Sequence, residues 1–506
     1  MKTILKSSAF AAILFLTPPA AFAGLIVGAP VDVVGHLPLA TFVGNNFATQ
    51  NYKDWGNEPF VAVNPTNTND IVVSSFAFGT PTNPQASIFY STNGGTSWTL
   101  QKTISPPSAS IGVPRDWTFT YDSSGALHGT ILGSDGNIYQ GATTDPTSLA
   151  AWTYTSGGMR INTAASAGNA DQPWIALQGA RVFVAYDDFH LNVAERVVVS
   201  NDGGTSFTVD NPINKGPQAG NTVNPGTRIA KDDAGNVYSI FGIGPGAGSR
   251  GVHQVTYYLN RSRDGGVTWD FNGSSVVGGI IIDSGVSTQL CNMPTCTQAS
   301  NNWFANVNDL RGNITAIAPD QTGSHVYVLI GKQDGSGTDR IYLVAYQLAG
   351  TDLVKSSEIV ISPAGERAAL PAITVKDDGT VVITYETFGP DGKVHIHVAS
   401  SDDRGASIGS DIEEYSFTPL TLTQATGSTM SNREFGDYNF LMSLGDTFFG
   451  VFAGLGNVNA GGINTTGLID PFFFSGTDAV PEPGTLSLIL TGLAAAMWLR
   501  RRNIKC

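Results

Sequence analysis

One short turn pattern recurs along this chain, and it restricts the fold more than any other feature. Ser262, Asp264, Gly266 and Trp269 keep a spacing that returns at Ser91, Asn93, Gly95 and Trp98 and again at Ser200, Asp202, Gly204 and Phe207. A worn fourth copy is Ser401, Asp403, Gly405 and Ile408. Each copy follows a strand-like run, such as Thr256 to Leu259 or Val394 to Val398. The copies therefore fall at strand-to-strand turns. There a side-chain oxygen accepts turn amides, Gly supplies positive φ, and the large residue packs beside the next strand.

A second repeat runs through the same region: an inner strand, a turn rich in Asp, Asn and Gly, and a second strand. The clearest unit is Asp171 to Leu177, the turn at Gln178 to Ala180, and Val182 to Tyr186. Others begin near Glu58, Trp117, Arg228, Ile314, Leu370 and Phe435. Most turns recur at roughly 55 residues, enough for a four-stranded blade. The spacing predicts an all-β propeller over residues 51–476, with seven blades favoured and six left open. The stretch Phe271 to Asn302 reads as an insertion. A chain of 506 residues with 59 Gly and 13% charged residues fits one large ring of short strands.

The turn pattern resembles the Asp-box, S-x-D-x-G-x-x-W, of sialidase-like (BNR-repeat) propellers. Asn57 to Pro65, Asp171 to Ala176 and Phe435 to Asn439 resemble exported bacterial members of that group. The resemblance implies that the boxes are structural and lie outside the blades, away from the central channel. It transfers no catalytic residue. The Phe/Tyr-Arg-Ile-Pro motif of known sialidases is missing, since Arg160-Ile161 runs into Asn162 and Arg115 has no Ile-Pro sequel.

Both ends read as processing signals. Met1-Lys2 and Lys6, apolar Ala9 to Leu16, and Ala21-Phe22-Ala23 have the order of a secretory signal over residues 1–23. Residues 24–50 then lead into the propeller. Residues 477–506 carry Pro481-Glu482-Pro483, an apolar run and Arg500 to Arg502, and resemble a PEP-CTERM sorting tail of Gram-negative bacteria. That resemblance implies export, an exosortase-type processing partner, transient membrane contact through the tail, and a mature protein that is secreted or held at the cell surface or matrix. Cys506 would leave with the tail, and Cys291 and Cys296 are expected to pair in one exported loop.

Net charge is −14. Without Lys2, Lys6, Arg500, Arg501, Arg502, Lys505 and Glu482 the body holds 21 basic and 40 acidic residues, about −19. So acidic a surface disfavours nucleic acid as a partner. No phosphate-loop or His-Glu-x-x-His motif is present, and no cofactor or metal is indicated. His395 and His397 alternate on one strand and read as a solvent-facing pair.

The start of each inner strand borders one mouth of a propeller channel. Residues there are Glu58, Arg115, Asp116, Asp171, Arg228, Asp309, Arg311, Arg367, Arg433, Asp437 and Tyr438. Gathered arginines would clamp a carboxylate or sulfate, and paired carboxylates would serve as acid and base. A ring of salt bridges that merely closes the barrel fits the same residues. Two functions follow: a polysaccharide- or partner-binding exported propeller, or a glycoside hydrolase or lyase acting on acidic glycans at that mouth.

Overall fold

The computed structural model describes residues 24–35, 55–77, 87–101, 104, 107–111, 114–148, 151–163, 167–189, 194–213, 221–222, 227–244, 251–270, 279–289, 303–305, 308–309, 314–419, 435–456 and 469–479. The signal segment, Cys291, Cys296, Arg311, Arg433 and the tail with Pro481 to Pro483 lie outside the described residues.

Seven antiparallel blades follow one another along the chain. Their inner strands are Trp55–Val63, Pro114–Tyr121, Ala170–Gln178, Arg228–Lys231, Ala316–Pro319, Arg367–Val375 and Phe440–Leu444. In each of the first six blades the chain steps outward strand by strand. The seventh differs, because its outer edge is supplied by the N-terminal Leu25–Val27 and Val31–Asp32, both paired on Ile469–Asp478. Sequence reading places residues 24–50 ahead of the propeller; the structure puts part of them inside its last blade. Ala479 N donates to Gly24 O at 2.7 Å, so the two ends of the described body meet at this closure.

The core lies between blades. Middle strands are buried on both faces, as in Val182 to Asp188 of the third blade, and so read as continuous apolar runs rather than alternating ones. At the closure, Val61, Val73, Phe89 and Trp98 of the first blade pack on Phe449, Val451 and Phe473 of the seventh.

The four Ser-x-Asp/Asn turns join third to fourth strands in blades one, three, four and six. They share one bonding scheme. The Ser hydroxyl accepts the second Gly N–H at 2.9 Å in Gly95, Gly204 and Gly405 and at 2.8 Å in Gly266. The Asp or Asn oxygen accepts the amide four residues on, as from Thr268 to Asp264 at 2.8 Å. Each second Gly has φ between +78° and +86°. It also sits hard against the preceding blade: a Cβ on Gly95 would lie 2.2 Å from Phe473, and one on Gly266 would lie 2.8 Å from Val199. Trp98 packs edge-on to Phe473 at 5.2 Å, and Trp269 is buried with Phe183 and Val199. Phe207 and Ile408 pack on the second–third and fifth–sixth blade cores in the same way. These turns thus fasten neighbouring blades at their outer side.

Candidate functional site

Four inner strands begin with the same irregularity. Glu58, Asp116, Gln172 and Leu370 have φ of 51°, 29°, 50° and 52°, and the pairing with the second strand slips at each. In three of them proline follows, at Pro59, Pro173 and Pro371. Proline has no N–H for the ladder and disfavours right-handed helical backbone in the residue before it, so the strand bulges there. The seventh blade approaches through Gly436, whose φ is +74° and whose Cβ would lie 2.2 Å from Glu58 Cγ. Only glycine lets that segment pass so close, and it sets Asp437 and Tyr438 beside the bulges.

Buried carboxyl groups collect at this mouth. Burial pushes the Asp116 carboxyl well above its ordinary range, and the charges of Glu58, Asp171 and Asp437 add to the shift. Glu195, on the third blade, is raised for the same reasons, burial first and then Asp187. Gln172 Nε2 donates to Asp437 Oδ2 at 3.3 Å. The Asp171 carboxyl accepts the Gln172 N–H at 3.0 Å and is the least buried of the group.

Arg228 is the cation among them. Burial draws its pKa down against the pull of Asp187, Tyr438, Asp437 and Glu195. Its Cζ lies 4.1 Å from the Trp174 ring centroid and 5.6 Å from that of Tyr438, within cation–π range. Nη1 donates to Thr227 O at 3.2 Å, while Nη2 is buried with no hydrogen-bond partner among the described residues. Burial raises the Tyr438 hydroxyl too, with Asp116 and Glu58 adding to it.

An aromatic layer closes the channel just below. Phe60 stacks on Phe440 at 3.6 Å and meets Trp174 edge-on at 5.3 Å, and Trp174 meets Tyr438 at 5.3 Å. A cavity of about 440 Å³ runs along the axis from Trp174, Arg228 and Tyr438 to Lys231, Asp233 and Gln321. It adjoins a second of about 590 Å³ near the inter-strand turns, lined by Asp122, Ser123 and Gly179. The carboxylates are on the other side of the aromatic wall, at the strand starts.

The structure brings Asp116, Asp171, Arg228, Asp437, Tyr438 and Glu58 together. Arg367 instead stands with its Nε 3.9 Å from Asp339 Oδ2 of the fifth blade. Arg115 pairs in backbone with Leu132, and Asp309 with Trp303; their side chains fall outside the described set. His395 and His397 are closed by carboxylates, His395 between Asp391 and Glu413 and His397 against Asp411, each at 3.1 Å. Among the described residues no group of three or more His, Cys, Asp or Glu is arranged to hold a metal ion.

Sequence reasoning missed Gln172, Asp187, Glu195 and Glu386. Gln172 had a signal, since Gln172-Pro173 repeats Glu58-Pro59 at the same place in its unit. The others lie on second and third strands, where no turn or repeat marks them. Glu386 is fully buried and accepts from Asn439 Nδ2 at 2.7 Å; burial lifts its pKa to about 8, with the Asn439 bond opposing.

No protein-family model and no curated protein sequence matches the chain. Among solved structures it is similar to an α-L-arabinofuranosidase of Fusarium graminearum, at 11% identity over 88% of this chain and 97% of that one, with a TM-score of 0.46. A polysaccharide (ulvan) lyase matches at 12% identity over 90% and 95%, TM-score 0.46. A lectin from Burkholderia pseudomallei matches at 13% over 85% and 98%, TM-score 0.48.

Proposed function

We propose that this protein is an exported, sialidase-like propeller of a bacterial envelope or matrix that binds polysaccharide at the strand-start mouth. The observation that carries this reading is the convergence of Glu58, Asp116, Gln172 and Asp437 beside Arg228, Trp174 and Tyr438. Left-handed backbone at non-glycine residues is strained, and its recurrence at one mouth in three adjoining blades marks a site. Carboxylates and amides accept sugar hydroxyls, and aromatic rings offer apolar faces to sugar rings. The resemblance of both chain ends to export and sorting signals supports secretion, with release of residues 1–23 and exosortase-type cleavage near Pro481. Titrating the processed protein with the exopolysaccharide of its own host tests the reading. Saturable binding that Asp116→Asn abolishes without lowering the melting temperature is expected. Binding unchanged in that variant overturns it.

A second reading, cleavage of the bound glycan, is favoured by the raised Asp116 carboxyl standing beside the acids Glu58, Asp171 and Asp437. One such group can act as acid while another acts as base. Release of shorter products by the parent protein but not by Asp116→Asn would select hydrolase or lyase over binding alone.

A further inference from the structure

We propose that the outer strand of the sixth blade, Ser410–Phe417, is a pH-sensitive strap: His395 and His397 fasten it in acid, and its loosening at higher pH slackens the segment Phe435 to Tyr438 at the mouth. The strand is an edge, paired on one side only, with Val394–Ser401. That ladder is interrupted midway. Ile396 faces Tyr415 and His397 faces Glu413, so Glu414 is the extra residue of a bulge. A short, bulged edge strand opens more easily than the strands inside a blade, and side-chain contacts weigh more in holding it.

Those contacts come from the two histidines. His395 Nε2 lies 3.1 Å from Asp391 Oδ1, and its Nδ1 lies 3.1 Å from Glu413 Oε1. His397 Nδ1 lies 3.1 Å from Asp411 Oδ1, and its Nε2 lies 3.1 Å from Thr387 Oγ1, whose own hydrogen goes to Glu366 Oε2 at 2.6 Å. All four ring nitrogens thus meet oxygen acceptors, and only a ring carrying both hydrogens satisfies that arrangement. A ring that loses one turns a lone pair toward an oxygen. Asp411 and Glu413 belong to the strap, so the ring charges tie it to the third strand. Lys393 and Arg340 are the other charges here, acting on Asp391 and Tyr385. Burial draws the His395 imidazole down, but Asp391 and Glu413 outweigh it and hold it above its ordinary value. Burial lifts the Glu414 carboxyl to about 7. The two signs agree. The His395 contribution is full below about 6.5 and is lost as pH rises through its folded value, and Glu414 opposes the packed strand once it ionises above about 7.

The same strand supports the seventh blade. The Tyr415 ring lies 4.9 Å from that of Phe472, and its hydroxyl donates to Leu455 O at 2.9 Å. Phe417 meets Phe435 edge-on at 5.7 Å. Phe435 is fully buried and leads directly into Gly436, Asp437 and Tyr438. Loosening the strap therefore removes packing from the segment that reaches the mouth.

Hydrogen exchange of the full processed protein, corrected for intrinsic exchange and read from about pH 5.5 to about pH 8.5, tests the strap. Protection of residues 410–417 is expected to fall about fivefold, the scale of one or two ion pairs whose carboxylates, Asp391 and Glu413, are half exposed. Residues 435–438 should loosen with them, while His325–Gln333 of the fifth blade keeps its protection. In His395→Gln the strand should be loose already at the acid end, and Glu414→Gln should make the fall smaller. The His395 Cε1–H resonance of the parent protein should titrate over the range in which the strand loosens, a reading that needs no variant. Equal protection of 410–417 at both ends of the range, an equal fall in His325–Gln333, a fall that His395→Gln leaves in full, or loosening without loss of the His395 proton overturns the strap. Loosening of 410–417 with 435–438 unmoved overturns its hold on the mouth.

Discussion

The outer turns and the channel mouth use the same side chain to opposite ends. Asp202 sits on the surface, where bonds from the Ser200 and Ser206 hydroxyls and the Ser206 amide hold its carboxyl down to about 2. Asp116 sits among other acids away from water, and its carboxyl is pushed far up. In the turn every near neighbour donates a hydrogen bond, so charge is favoured; at the mouth the neighbours are acceptors and solvent is excluded, so the proton is kept. The first arrangement fastens blades, and the second keeps a carboxyl uncharged out of water. A carboxylate's role here is therefore set by what faces it, not by its being conspicuous in sequence.

Three measurements would break or sharpen this contrast. The largest effect is expected for Trp174→Ala, which removes the ring against which Phe60, Phe440, Tyr438 and Arg228 pack. It should cost about 3–5 kcal/mol in denaturant unfolding. A cost under about 1 kcal/mol would mean that the wall below the mouth is not a packed layer.

Next is the pH dependence of unfolding. Glu386, raised to about 8 from an ordinary value near 4.5, keeps a proton in the folded state that the unfolded chain releases. Its contribution to stability is thus full below about 4.5 and is lost as pH rises through 8. Asp202 has the reverse sign: with a folded value near 2, its contribution is present above about 4 and is lost as pH falls toward 2. Glu386→Gln should flatten the fall in stability between pH 5 and 8 by up to about 1.4 kcal/mol per pH unit. An unchanged slope would show that Glu386 ionises freely and that the mouth is wetter than its burial implies.

The smallest effect belongs to the turns. Asp264→Ala strips acceptors from the Thr268 and Val267 amides and should cost about 1–3 kcal/mol. Glycan affinity of the folded variant should be unchanged. Full stability together with lost binding would move function from the mouth to the turns and reverse the comparison.

Much of the fold was open to reading because its determinants are local. The turn at Ser262 closes its bonds within four residues, from Gly266 N to Ser262 Oγ and from Thr268 N to Asp264 Oδ1, so residue types at fixed spacing identify it wherever it stands. The acids at strand starts were also legible, at Glu58, Asp116, Asp171 and Asp437, since each unit begins at a recognisable place. Glu195 and Glu386 were not. They occupy ordinary strand positions, and only the packing of one blade on the next makes them members of the mouth.

By itself the sequence determined the strand order, the blade length and the chemistry of the turns, all of which arise from interactions within one unit. Which charges meet, and with what partner, was decided by the tertiary structure alone. Gln172 and Asp437 are 265 residues apart and touch only because the ring closes. The last blade in turn takes Leu25–Val27 as its outer edge, a pairing that no repeat announces. Arg228 and Arg367 begin equivalent strands, yet one lies on Trp174 among the acids and the other beside Asp339. Spacing along a strand places a residue at the mouth; desolvation and neighbours from other blades then decide whether its charge survives.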